Sequence, residues 1–206
     1  MGIYKDSAGI ELPDRTVGGP LPAEVDVRRD HLLNGGPTGL LRESFPRWAC
    51  TTDLTAPTTQ VMTSVAVALK AGDVITNVTF KSGATAAATL TNWWFALYSA
   101  AATPALLAQS ADQESAAWAA NTAKTLALAA PQTITADGVY YAALMVKAST
   151  VCSLVGRTVA LAGASSGSVS GQKTLAQTSG SSLTDTAPAT IATPTASVLV
   201  PYVVLT

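Results

Sequence analysis

Residues 92–147, NWWFALYSAAATPALLAQSADQESAAWAANTAKTLALAAPQTITADGVYYAALMVK, constrain the fold more than any other part of the chain. Trp93, Phe95 and Leu97 alternate with Trp94, Ala96 and Tyr98, so a strand here is apolar on both faces. Val139, Tyr141, Ala143 and Met145 alternate in the same way with Tyr140, Ala142, Leu144 and Val146. A strand of this kind needs a packing partner on each side. The simplest expectation is a core on one face and sister copies of the chain on the other.

Composition points the same way. Charged residues are 12% of the 206, against about 25% in ordinary soluble domains, and a surface so poor in charge favours association. The net charge of −1 gives no field for nucleic acid, and no basic cluster tracks phosphates. The first residues, MGIYKDSAGIELPD, contain no apolar signal core. The late apolar run 197–205 is too short to cross a bilayer and holds Pro201, so membrane insertion is not expected. Cys50 and Cys152 are the only cysteines. One disulfide is open to them, although isolated cysteines are more often small buried hydrophobes.

Charge also divides the chain. Residues 1–50 hold seven acids and six bases, thirteen of the twenty-five charges, with Pro and Gly scattered throughout. That spacing leaves room for at most a short helix over 23–33. The segment reads as an extended arm with apolar anchors, Ile3, Tyr4, Leu32, Leu33, Phe45 and Trp48 among them. Such anchors suit docking on a neighbouring surface better than a solvated tail.

From residue 51 the pattern is that of strands. Residues 61–69 alternate through Val61, Thr63, Val65, Val67 and Leu69; after the 71–73 turn, 74–80 alternate through Val74, Thr76, Val78 and Phe80, with Ile75 opposite. Short strands are expected at 105–110, 124–129 and 132–135, the last two hinged at Pro131, and Asp137-Gly138 marks a turn. Residues 112–121 form a polar excursion around Trp118. Residues 162–187 form a long Gly/Ser/Thr-rich loop or hairpin, and 196–205 a Val-rich strand that Pro201 confines to an edge or a bulge. The sum is roughly eight or nine strands with regular turn signals. The expected fold is all-β: an antiparallel β-sandwich or jelly-roll domain over 51–206, preceded by the extended arm 1–50.

Catalytic constellations are poorly supported. Gly163-Ala164-Ser165-Ser166-Gly167 matches a nucleophile-elbow pattern, but in a tract where chance matches abound, and the only histidine, His31, precedes it. Gly171-Gln172-Lys173-Thr174 lacks the spacing of a phosphate loop. One histidine, two distant cysteines and scattered acids supply no metal set. No cofactor and no enzymatic activity are expected. Trp94, Tyr98, Trp118 and Tyr140 are candidates for interface packing or for stacking on a sugar ring, with packing favoured. Trp118 is the best sugar candidate because it lies in a polar loop.

The order W-F-A-L, L-L-A-x-S-x-D, W-x-A-x-T-x-K-T-L and G-x-Y-Y, at residues 94–97, 106–112, 118–126 and 138–141, resembles a β-sandwich module of virion proteins in tailed phages of actinobacteria. The likeness covers about residues 60–156. It implies a structural virion protein, either a head decoration or fibre protein or a minor tail protein. Such a protein would be made in the host cytoplasm, carried on the particle and often trimeric. Its arm would bind other virion structural proteins. The alternative is a tail-fibre module that binds a host-surface glycan or protein.

Overall fold

The structure, a computed structural model, describes residues 41–159, 166–167 and 169–206. The arm anchors Ile3, Tyr4, Leu32 and Leu33, together with His31 and Ser165, lie outside them.

The described fold is all-β and antiparallel. Its strands in chain order are β1 (Arg42–Glu43), β2 (Thr52–Leu54), β3 (Met62–Leu69), β4 (Val74–Lys81), β5 (Ala88–Tyr98), β6 (Leu106–Gln109), β7 (Ala123–Thr133), β8 (Gly138–Thr150), β9 (Leu154–Thr158), β10 (Ala176–Ser179), β11 (Thr195–Ala196), β12 (Leu199–Pro201) and β13 (Val203–Leu205). They form a six-stranded sheet β11-β10-β3-β8-β5-β6, a four-stranded sheet β1-β13-β4-β7 and a three-stranded sheet β12-β9-β2. The sheets pack as a sandwich. β8 runs unbroken at the centre of the six-stranded sheet, pairing with β3 on one side and β5 on the other.

Period-two alternation sorts the aromatic strands as expected. Trp93, Phe95 and Leu97 of β5, with Tyr140, Ala142, Leu144 and Val146 of β8, face the inter-sheet core. There they meet Ile75, Val78 and Phe80 of β4, Leu126 and Leu128 of β7, and Val203 and Leu205 of β13. In β4 the expected alternation is broken. A register shift between Ile75 and Asn77 turns Ile75 into the core beside Val78 and Phe80, while Val74 is left exposed. On the other side of β4, Thr76 N and Asn77 N both donate to Thr206 O, so the strand carries one extra residue there, which reverses the facing of everything before it.

The opposite face of the six-stranded sheet is also buried, and not by a second copy. Met62, Trp94, Ala96, Tyr98, Tyr141, Ala143 and Met145 form a second apolar cluster with Ala187 and Ile191. Residues 180–194 run across that face as a strap. Trp94 Nε1 donates to Thr184 O at 2.8 Å, and Tyr98 Oη to Pro188 O at 2.8 Å. Gln109 clamps the strap from β6: its Nε2 donates to Asp185 O at 2.8 Å, and its Oε1 accepts from Ala187 N at 2.6 Å. Backbone bonds from Leu183 N to Gln60 O, Leu106 N to Ala189 O and Ile191 N to Pro104 O fix its course. Sister copies are therefore not needed to cover the aromatic rows, because a segment read as a surface loop does so within the chain.

Both ends of the described chain differ from expectation for related reasons. Residues 41–50 are built into the sandwich unit: β1 pairs with β13, and Phe45 packs on the core and on Tyr202, ring centroids 5.7 Å apart. The 162–187 tract contains β10, which pairs with β3. The single Val-rich edge strand expected at 196–205 is instead three short strands, each in a different sheet. Pro201 ends β12 at the edge of its sheet, while β13 lies between β1 and β4. β7 continues through Pro131 as one edge strand, but its pairing with β4 lapses between Ala127 and Gln132, around the proline that lacks a donor.

Arg42 fastens this entry. Its Nε and Nη2 donate to Asp73 Oδ2 and Oδ1, each at 2.8 Å, and Lys70 N donates to Oδ2 at 2.9 Å. Burial of Asp73 opposes its ionisation. The Arg42 guanidinium and the Lys70 N–H outweigh that and hold the carboxyl below its usual range. A depressed folded-state value gives stability that is full above the unfolded carboxyl pKa, about 3.9, and is lost as pH falls through the folded value. Asp73→Asn is expected to lower stability at neutral pH by about 1–3 kcal/mol in urea unfolding, with the gap from wild type closing as pH drops below about 4. A gap that stays constant into acid would show that the ion pair contributes nothing.

Candidate functional site

The aromatic residues do not form a ligand platform. Trp118 is 1% exposed, its ring stacked on Trp93 with centroids 5.1 Å apart and edge-on to Phe95 at 5.5 Å. Its Nε1 donates to Thr122 O at 3.0 Å, and Trp93 Nε1 donates to Ala116 O at 2.9 Å. The polar excursion thus folds back and plugs one end of the core with its tryptophan. Trp94 and Tyr98 are fully buried under the strap, and Tyr140 is buried with its hydroxyl on Ala136 O. Burial pushes the Tyr98 phenol well above its ordinary value. The polar side chains nearby hold structure: Asp112 accepts from Trp93 N at 2.8 Å and from Asn92 Nδ2 at 2.6 Å. Trp94, Tyr98, Trp118 and Tyr140 are packing residues; none of them offers a face to a sugar.

Reactive groups are sparse among the described residues. Cys50 and Cys152 are both free. Burial raises the Cys152 thiol to about 12, and burial with the nearby Glu43 carboxylate raises Cys50. Tyr202 Oη donates to Glu43 Oε2 at 2.5 Å, tying the last described strands to β1. No three His, Cys, Asp or Glu among the described residues converge as metal ligands.

Among the described residues, two surface features stand out. The first is an apolar cleft of about 270 Å³ lined by Phe45, Ala49, Ala66, Val159, Leu175 and Val200. Trp48, next to Ala49 in a 3-10 turn over Arg47–Ala49, is 73% exposed. The second is a polar cleft of about 470 Å³ with Tyr141 and Gln177 at its base. Its walls come from 172–174 on one side, and from 102–104 with 191–194, where the strap ends, on the other. Sequence reasoning missed this second cleft because β10 is hidden in a Ser/Gly-rich tract, and because its partner wall lies some seventy residues away.

No protein-family description matches the chain, and no curated protein matches it.

Trp118→Ala is expected to lower unfolding stability by about 3–5 kcal/mol, as for a large ring removed from a packed core. A variant of wild-type stability would contradict the plug.

Proposed function

We propose that the chain is a non-enzymatic structural protein of a phage virion, a head decoration or fibre protein or a minor tail protein. In this reading the N-terminal arm, residues 1–50, anchors it to other virion structural proteins, and the sandwich self-associates at the particle surface, most simply as a trimer. The observation that carries the reading is Trp48. It is a large exposed aromatic beside Arg47, adjacent in sequence to the apolar cleft, and the segment read as a docking arm leads into it. Aromatic residues and arginine are the types that dominate protein–protein hot spots. Self-association here draws on that surface and on the low charge of the chain, since the chain covers its own aromatic rows. The motifs that resemble phage modules are consistent with it, because Phe95, Leu97, Trp118, Leu126 and Tyr140 are residues of the sandwich core.

A second reading, recognition of a host-surface glycan or protein, is favoured by one feature, the polar cleft at the strap's end.

Removing residues 1–40 retains Arg42 and Phe45 and is expected to leave a folded, soluble sandwich that no longer joins particles, measured by incorporation into virions in a complementation assay. Normal incorporation of the truncated chain would remove the anchoring role.

A further inference from the structure

We propose that the polar cleft binds a saccharide unit that carries a carboxylate. Three observations converge. Gln177 is 5% exposed yet lines the cleft, and its side-chain amide bonds to no described group. It lies opposite Ser64 in the β10–β3 register, as Ala143 does in the β3–β8 register. Residues opposite one another across paired strands share a face, so Gln177 points the same way as Ala143 and Tyr141. Its side-chain nitrogen and oxygen are not among the fully buried atoms that lack a partner, so the amide keeps contact with solvent and is available to a ligand in the cleft it lines.

The second observation is Lys173. It lines the cleft, and its Nζ lies 3.4 Å from Ala100 O and 3.5 Å from Ala101 O, just before the cleft residues Ala102 and Thr103 in sequence. An ammonium has three donors, so two long bonds to carbonyls leave one for a ligand. No Asp or Glu among the described residues lines the cleft, so an anionic ligand meets one fixed cation and no opposing charge.

The third is the mixture of surfaces. Tyr141, with Pro104, Ile191 and Pro194, offers apolar contact, while Thr103 and Thr193 add hydroxyl-bearing side chains to the lining. Alternating C–H faces and hydroxyls are the surface of a sugar ring, and the volume lies within the usual range of small-molecule sites, about 300–1,000 Å³. Ser179, two residues on from Gln177, has a buried hydroxyl without a partner, but it lies outside the cleft and adds nothing to ligand recognition.

The inference deepens the second reading by naming a ligand class. The test uses the full chain, titrated with a galacturonic-acid disaccharide and with its neutral galactose counterpart, read by calorimetry and by the NMR shifts of side-chain amides. The expected result is a shift of the Gln177 side-chain amide with the acidic sugar, and binding at least about fivefold weaker for the neutral one, a difference on the scale of one charge-assisted bond. Lys173→Gln is expected to reduce the acidic sugar to the level of the neutral one without changing the melting temperature. Gln177→Leu is expected to weaken both. No shift with either sugar, equal binding of the two, or full binding by Lys173→Gln would overturn the proposal. Adsorption of the purified chain to host cells without binding either disaccharide would also overturn it, while leaving host recognition itself standing.

Discussion

The structure depends on a strand pair, β5 and β8, that is apolar on both faces and so has to be covered twice. One cover is the opposing four-stranded sheet, which closes over Trp93, Phe95 and Leu97. The other is the strap of residues 180–194 over Trp94, Tyr98, Tyr141 and Met145. The two covers work by different means. Between the sheets, side chains interlock in an aromatic cluster around Phe95, with Phe80, Trp93 and Trp118. Under the strap, rings give their apolar bodies to Ala187 and Ile191 and their polar tips to strap carbonyls. Tryptophan and tyrosine suit that role because one end is hydrophobic and the other must hydrogen-bond when buried.

The same logic explains why the chain ends are woven in. β1 closes the four-stranded sheet beside β13, and Arg42 reaches Asp73 in the turn before β4. β13 holds the middle of that sheet and places Val203 and Leu205 in the core. Between β12 and β13 the chain changes sheets within a few residues. β9 passes close by because Gly156 has no side chain there; a Cβ would collide with Val200 O and with Leu54. Residues far apart in sequence thus close a single core.

Much of this was legible in the sequence, and the parts that were not share a cause. The facing of the large residues from Trp93 to Tyr98 in β5 and from Tyr140 to Val146 in β8 follows from alternation, whereas Leu90 joins the same core across a register shift between Leu90 and Asn92. The all-β class follows from turn spacing. What alternation does not encode is which segment supplies a cover. The strap is rich in Ser, Thr and Pro, and its hold comes largely from backbone carbonyls and amides, to which any residue contributes. Trp118 misled for a similar reason: the residues around it are small and polar, but its own ring is the plug. The β4 bulge left no mark in the side-chain pattern, because Thr76 and Asn77 fit either face.

These points bear on function through what they leave at the surface. With the aromatic rows enclosed, the described residues still expose Trp48 beside its apolar cleft and the polar cleft lined by Gln177. The central claim is that the strap covers the outer aromatic face within one chain. Hydrogen exchange of the tryptophan indole N–H groups, followed by NMR across a wide range of protein concentration, tests it most directly. The account predicts that Trp94 is protected to the same degree at every concentration while Trp48 exchanges freely. Protection of Trp94 that fades on dilution would mean that other copies of the chain, and not the strap, cover that face.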